Sequence, residues 1–571
     1  MKLPSLRWIF PALAALGILV YLFAPALGWG LGNPFFSITT ELRADSTTRV
    51  FARVGWNDDI RVVPVAEFTH ATLDLNYHYP LEFGAADLRV LRSAGPLMVT
   101  VRTWSAGANA YDDNPLKDVV DGKYDDLLGR FARALPAGGK DVYLRFNPDA
   151  EVPVQQYPWQ QYPSIFIDAF ARFATICRRV APGVQLVWAP AGYPGAMEYY
   201  PGDSLVDAAS VTYRYAAEQQ LDAYPHDLPP VVDLYRRLHR LRFLRVPVFA
   251  LTEEDYKGTL PDLDSLQRKL DGGPEAVYGH PPAAPGNQLT IHRTEELIFG
   301  VYDPQQRLLT DPAVTAEHLF LDFDRIDDGR FAREFGEVTG RGHDVIVTFE
   351  PFHHPIEESD TNVLRNMVAG VYDAALGKLM QTLRSTRQRV FFRYAHEMEI
   401  PIHRYPWQSR DPQDYIASWR YVMSFDSLPP NVSRVWGPAG DRGFLEWYPG
   451  DDYVDAVSIA IYGLPDKNIE DPEKQESFAR IYERKMWRMR FVDKPVFITE
   501  FGVKGPEAYQ TQWMEAAARV LAEDPRVIGI NYFNMSDTPK AWGDIKPPDW
   551  SITPSTMRRF LEEIRAPASR R

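Results

Sequence analysis

Residues 390–408 read VFFRYAHEMEIPIHRYPWQ and residues 142–160 read VYLRFNPDAEVPVQQYPWQ; eight of the 19 pairs are identical. The two stretches stand at an offset of 248 positions, and the same offset holds outward on both sides. Toward the N-terminus, His70-Ala71-Thr72-Leu73-Asp74 falls on His318-Leu319-Phe320-Leu321-Asp322, and Gly122, Tyr124, Asp125 and Gly129 fall on Gly370, Tyr372, Asp373 and Gly377. Toward the C-terminus, Trp188, Tyr200-Pro201-Gly202-Asp203 and Pro247-Val248-Phe249 fall on Trp436, Tyr448-Pro449-Gly450-Asp451 and Pro495-Val496-Phe497. One register kept all the way from His70 to Phe249 reads as duplication of a whole domain.

Each repeat alternates short apolar runs with longer amphipathic stretches. In the second copy the runs include HLFLDF (318–323), DVIVTF (344–349), RVFFRY (389–394), SRVWGP (433–438), DAVSIAIY (455–462), KPVFITE (494–500) and VIGINYF (527–533). Helix-like segments such as 362–383 and 413–425 lie between them. Strands alternating with helices imply a parallel sheet, and a unit of about 250 residues is the size of a (β/α)8 barrel. A doubly wound open sheet shows the same alternation but usually carries a Gly-rich phosphate turn after its first strand, and none is present. The expected fold is therefore α/β, two tandem (β/α)8-type barrels spanning 51–290 and 296–565. The first has only a short stretch between Thr252 and the start of the second copy near Thr294, including the Pro/Gly-rich GGPEAVYGHPPAAPGNQ (272–288). It is expected to be incomplete or irregularly closed.

Residues 1–36 stand apart. Lys2 and Arg7 precede a charge-free run from Trp8 to Thr40, and 9–27 (IFPALAALGILVYLFAPAL) is nearly all apolar. About 20 such residues cross a bilayer, and the positive N-terminal side places the body outside the cytoplasm. The expectation is an uncleaved membrane anchor through residues 8–27, at a bacterial cell membrane with the body periplasmic or extracellular. A secreted signal peptide cut near Ala24-Pro25-Ala26 is the alternative. A single cysteine, Cys177, means that no intrachain disulfide staples the exported body. The net charge of −14 argues against a nucleic-acid partner, which needs a basic face. Aromatics make up 13% of the chain, a lean toward carbohydrate.

Barrel enzymes carry their reacting groups at the C-terminal ends of strands. In the second copy those ends read Glu350-Pro351, Ala395-His396-Glu397-Met398, Tyr462-Gly463 and Glu500-Phe501-Gly502. Two carboxylates at strand ends suit glycosidic bond cleavage, one as proton donor and the other as nucleophile. His353-His354 and His396-Glu397 lack the HExxH spacing of a zinc site. No metal or other cofactor is expected.

RYAHEM followed by YPW, then VSIAIYG, then FITEFG resembles glycoside hydrolase family 26 over most of residues 296–565. That (β/α)8 family of retaining β-glycanases includes β-mannanases, mixed-linkage β-glucanases and β-1,3-xylanases. The resemblance implies that Glu397 is the acid/base and Glu500 the nucleophile. It further implies that His396 binds near the reacting sugar, that Tyr462 hydrogen-bonds the nucleophile, and that Glu350 is the acidic residue of a Glu-Pro pair. Arg393, Trp407, Trp447 and Trp542 join them as candidate substrate-binding residues, the tryptophans as sugar-stacking platforms. Glu399 departs from the family, which commonly has Asn after His-Glu-Met.

The first copy has Asp149, Pro148, Thr252, Arg102 and Arg214 at the positions of Glu397, His396, Glu500, Glu350 and Tyr462. Glu253, one residue on, could replace the nucleophile only if a bulge re-aimed it. The first copy is thus expected to have lost catalysis. The function expected is a membrane-tethered endo-β-glycanase acting on a β-linked polysaccharide of the β-mannan or β-glucan class. The alternative is a non-hydrolytic glycan-binding accessory whose partner is exopolysaccharide synthesis or export machinery.

Overall fold

A computed structural model describes residues 38–566 apart from 57–59, 66–67, 94, 106–113, 137–140, 154–156, 214–227, 274–296, 464–475 and 538–545. The expected anchor at 8–27, Arg214 and Trp542 lie outside the described residues. Among the described residues, no helix is long and apolar enough to cross a membrane. The chain divides into two compact units, Met1–Gly279 and His280–Arg571.

The first unit is built on nine strands: β1 (Glu41–Asp45), β2 (Val50–Gly55), β3 (Arg61–Pro64), β4 (Thr69–Leu75), β5 (Leu97–Thr103), β6 (Val142–Phe146), β7 (Gln185–Trp188), β8 (Ala208–Tyr213) and β9 (Val248–Thr252). Strands β4 to β9 run parallel in chain order, as the alternation of runs and helices predicts. Among the described residues the sheet does not close, the incomplete form of barrel expected for the first copy. β1 pairs antiparallel with β4 at one edge, and β2 and then β3 add antiparallel beyond β9 at the other. The described residues after β9 supply a helix, Leu263–Gly272, and no eighth parallel strand. The edges are instead blunted: β1 is mostly exposed and charged, and β3 carries Arg61 and Pro64, features that discourage pairing with a further strand. Gln267 on that helix accepts from Val62 N (2.7 Å) and donates to Ile60 O (2.9 Å), covering part of the outer edge.

The second unit is a closed barrel of eight parallel strands: β10 (Ile298–Tyr302), β11 (Ala316–Leu321), β12 (Asp344–Phe349), β13 (Val390–Tyr394), β14 (Val432–Trp436), β15 (Ala456–Gly463), β16 (Val496–Val503) and β17 (Val527–Phe533). β17 closes on β10 in the register Ile298↔Gly529. One residue from every strand (Ile298, Ala316, Ile346, Phe391, Val435, Ala456, Phe497 and Ile528) forms a single buried cluster, a filled barrel layer. Two residues further along, the period of a strand, the layer turns polar. His318 Nε2 lies 2.7 Å from Thr348 Oγ1, and Arg393 Nη1 donates to the same oxygen at 3.1 Å. Another two residues along β12 from Thr348 comes Glu350, just past the strand end. The 362–383 segment, read as one helix, forms two, Val363–Val368 and Asp373–Leu383, broken at Gly370 with φ +78°.

Contacts recur at the offset of the repeat. His70 Nε2 lies 2.8 Å from Thr100 Oγ1, and Arg145 Nη1 donates to that oxygen at 3.0 Å, as His318 and Arg393 do around Thr348. Trp159 Nε1 donates to Pro148 O at 2.8 Å, and Trp407 Nε1 to His396 O at 2.7 Å. Asp149 and Glu397 both hold left-handed backbone, with φ of 62° and 53°.

Candidate active site

Glu500 owes its direction to a bulge. β15 pairs with β16 as Ser458↔Phe497 and then Ala460↔Glu500, so β16 carries one extra residue over that interval. A bulge re-aims the side chains that follow it. Phe501 accordingly packs on Phe478, Trp513 and Phe560, which are helix residues, while Glu500 meets Arg393, Tyr462 and His396. In the first unit the β8–β9 ladder runs unshifted from Ala209↔Val248 to Tyr213↔Thr252. Glu253 therefore lacks the bulge it would need. Thr252 Oγ1, at the position of Glu500 in the repeat, accepts from Arg49 N at 2.9 Å.

Both Glu500 oxygens are occupied. Arg393 Nη1 and Nη2 each donate to Oε1 at 3.1 Å, and Tyr462 OH donates to Oε2 at 3.2 Å. Arg393 and Glu500 are both buried. The guanidinium is the counter-charge that makes burying this carboxylate tolerable.

Glu397 stands just past β13 in a tight turn in which Ala395 and Glu397 both have positive φ, 45° and 53°. Such backbone in a residue with a side chain costs of order 1 kcal/mol or more and persists only where the surroundings enforce it. Three hydrogen bonds do so: Glu397 N to Gly437 O at 2.8 Å, Gln408 Nε2 to Glu397 O at 3.2 Å, and the Trp407 bond to His396 O. Burial pushes the Glu397 carboxyl up to about 8; the charges of Glu500 and Glu399 add to this, and Arg393 and Arg404 oppose it. Each is the expected direction for a carboxyl taken out of water among charges of those signs. The group is a carboxylic acid at neutral pH.

Glu350 is pushed up to about 7, chiefly by burial, against a hydrogen bond from Tyr405 and the charge of Arg404. His396 Nε2 sits 3.9 Å from both Glu350 Oε1 and Glu500 Oε1. Burial and the charges of Arg393 and Arg404 hold its imidazole well below the usual histidine range, so it is neutral. The two remaining tryptophan expectations are corrected. Trp407 is 0% exposed, stacked on Tyr405 at 4.5 Å and 7°, and Trp447 is 2% exposed; neither ring has a face free for a sugar. Trp407 instead supports the backbone of His396. The half-buried rings at the strand ends are Tyr302, Phe320, Tyr462 and Phe533. They are linked by ring distances of 5.1 Å (Tyr302–Phe320), 4.9 Å (Tyr302–Phe533) and 6.3 Å (Tyr462–Phe533), and Phe320 lies 6.1 Å from His396. Their signal was the aromatic near the end of HLFLDF and VIGINYF. His353 Nδ1 lies 2.7 Å from Asp324 Oδ1 and His354 Nε2 3.3 Å from Asp322 Oδ2, both rings exposed.

The raised Glu397 carboxyl has a consequence for stability. The folded chain holds this proton where an unfolded glutamate, at about 4.5, has lost it. That contribution is complete below the unfolded value and is lost as pH rises toward 8. Glu397→Gln is therefore expected to melt close to wild type at pH 5 and a few degrees higher at pH 8.5, as calorimetry across this range would read. A constant difference between the two proteins would contradict the raised value.

Residues 341–523 match the model of glycosyl hydrolase family 26. A β-1,3-xylanase of Alcaligenes sp. is 28% identical over 170 residues, 28% of this chain and 31% of that protein. Endoglucanase H of Acetivibrio thermocellus is 25% identical over 248 residues, 41% of this chain and 25% of that protein. The chain spans between a quarter and a third of the length of the curated relatives it matches. A family 26 β-mannanase structure from Bacteroides ovatus is 16% identical, covering 49% of this chain and 91% of that one at a TM-score of 0.35. The matched stretch runs through both strand-end glutamates, Glu397 and Glu500, and over these residues the closed barrel is similar to glycosyl hydrolase family 26.

Proposed function

We propose that the closed barrel is a retaining endo-β-glycanase, with Glu397 as acid/base and Glu500 as nucleophile. The observation that carries this reading is the contrast between the two carboxyls: one holds its proton through burial, the other is paired to a buried arginine. A retaining mechanism needs that division of labour. Glu397 protonates the leaving oxygen while Glu500 attacks the anomeric carbon. Glu397, now ionised, then takes a proton from the water that releases the sugar. Neutral His396, Glu350 and the Tyr302–Phe320–Phe533 wall supply hydrogen bonds and apolar faces for the reacting ring.

The substrate class is a β-linked polysaccharide. Relatives named as β-1,3-xylanases and an endoglucanase make β-1,3-xylan and β-glucan the polymers to try beside β-mannan. The 51–290 region is a non-catalytic twin of 296–565 arisen by duplication. Supporting this, Arg102 donates to Asp74 at 2.7 and 2.8 Å, Trp104 Nε1 adds a bond at 2.7 Å and Arg43 of β1 one at 2.9 Å, so an ion-pair cluster fills the strand end that Glu350 marks in the barrel. Residues 1–36 tether the body to the outer side of a bacterial membrane. Incubation of the full chain with β-1,3-xylan, mixed-linkage β-glucan, β-mannan and cellulose tests the activity. New reducing ends that vanish with Glu500→Ala are expected. A folded protein idle on all four would favour the glycan-binding accessory.

Gly437 offers a sharper check. A Cβ there would meet Arg393 Nε at 2.8 Å and Ser458 Oγ at 3.2 Å. Gly437→Ala is expected to push Arg393 off Glu500 and lower kcat roughly 10–100-fold, since displacements near 1 Å cost about that much. Wild-type kcat in the variant would show that Arg393 does not position the nucleophile.

A further inference from the structure

Glu399 is buried at 6% exposure in the turn that carries Glu397. Its Oε1 accepts from Gly440 N at 2.9 Å and Asp441 N at 3.1 Å, and its Oε2 is buried with no hydrogen-bond partner among the described residues. The loop it grips, 437–441, is the one whose Gly437 O holds the Glu397 amide. From the other side Lys485 Nζ donates to Ala439 O at 2.6 Å and lies 3.5 Å from Asp441 Oδ1. A carboxylate is thus spent on two backbone amides beside a strained turn, two positions from the acid.

We infer that Glu399 is a positioning residue for Glu397: it clamps the loop that fixes the Glu397 backbone, and it sets a third carboxyl against the acid. This rests on the glycanase reading of the barrel and deepens it. The clamp recurs in the first unit. Glu151, the counterpart of Glu399 in the repeat, accepts from Tyr193 N at 3.0 Å in the corresponding loop, although Asp149 stands at the acid position. The clamp is therefore shared scaffold.

Charged and titratable groups from several elements surround the pair. Facing Glu397 are Glu500 on β16, Arg393 on β13, Arg404 and Tyr405 beyond the turn, and Tyr462 on β15. Facing Glu399 are Asp441 in the clamped loop and Tyr415 on the helix Pro412–Ser424, while Lys485 and Arg488 of the helix Phe478–Met489 donate to Ala439 O and Gly440 O of the same loop. Burial, with the charge of Asp441, pushes Glu399 up to about 7. It therefore gains its charge just below the pH at which Glu397 would lose its proton, and that new charge helps Glu397 to keep it.

Two substitutions separate clamp from charge. Glu399→Gln keeps a carbonyl oxygen for the two amides and removes the charge. Glu399→Asp keeps the charge and withdraws it from the amides. The titration of Glu397 is read without turnover, as the midpoint of the carboxyl infrared difference, followed across pH, between a protein that keeps Glu397 and the same protein with Glu397→Gln. With Glu399→Gln that midpoint is expected to fall by roughly half a pH unit or more, and the alkaline limb of kcat/KM to fall with it. An unmoved midpoint would overturn the charge role, whatever the activity. A moved midpoint in a protein that hydrolyses nothing would uphold the inference while the glycanase reading fell. Glu399→Asp is expected to lower kcat at least fivefold with KM unchanged; wild-type kcat there would overturn the clamp. Should Glu399→Gln not fold, Glu399→Asn takes its place in reading the charge, and Glu399→Asp still decides the clamp.

Discussion

Glu500→Gln is expected to lower kcat on the preferred polymer by roughly 10⁴-fold or more, the scale seen when a nucleophile is removed from an otherwise intact site. The side chain is held at both oxygens, by Arg393 on Oε1 and Tyr462 on Oε2, so the wild-type carboxylate is locked in one orientation. The amide keeps an oxygen for Arg393 but has no negative charge with which to attack. It also leaves Arg393 buried without its counter-ion. Breaking a buried pair from one side costs about 3–5 kcal/mol, so the melting temperature is expected to fall in the same variant. Circular dichroism must show a folded protein before the rate is interpreted. A folded Glu500→Gln within tenfold of wild type would remove Glu500 from the chemistry and leave it as Arg393's ion-pair partner. A 2-fluoro glycoside of the hydrolysed sugar gives an independent reading, because the trapped sugar should map to the peptide containing Glu500.

Much of this arrangement is legible in the sequence, because strand ends and repeats are local patterns. The runs ending at Phe349, Tyr394, Tyr462 and Glu500 became parallel strands, and Glu397, Glu500, His396, Tyr462, Arg393 and Glu350 converge at one end of the barrel. What local pattern cannot carry is the direction and partner of a strand. Val50–Gly55 holds the place in the repeat that Ile298–Tyr302 holds in the barrel, yet it runs antiparallel against β9. In the first unit an open edge, not a closing eighth strand, awaits it. Nor can a pattern show which aromatic faces stay open. Tyr405 and Trp407 stack on each other beneath the cleft, and that burial follows from the turn at 395–409. Arg404, Tyr405, Glu399 and Asp537 escaped notice as contributors to the site for a related reason. They lie beyond strand ends, where no periodicity marks an inward face, and act on Glu397, Glu350 and Tyr462 through charge or, for Tyr405, through a hydrogen bond to Glu350. The bulge at Glu500 is equally silent: Thr-Glu-Phe gives no sign that an extra residue enters there.

Glu397→Ala is the second large effect, and its size should depend on the leaving group. On a polymer, whose departing alkoxide needs a proton, kcat is expected to fall by about 10²–10⁴-fold, the usual worth of a positioned general acid. On an aryl glycoside with an acidic phenol the departing oxygen needs little help. The glycosyl-enzyme should still form and then persist, because no base remains to activate water. Wild-type kcat/KM should decline as pH rises through the range where Glu397 gives up its proton, near 8, since only the protonated form can donate. That limb should be missing in Glu397→Ala with the aryl substrate. Azide needs no base and should restore turnover, and the configuration of the product decides between the two glutamates. Attack on a glycosyl-enzyme gives a glycosyl azide of retained configuration, which is the outcome expected for Glu397→Ala. Rescue of Glu500→Ala should give the inverted azide by direct displacement. Inverted product from Glu397→Ala would exchange the two roles, and with them the reason one carboxyl is buried with its proton while the other is paired to Arg393.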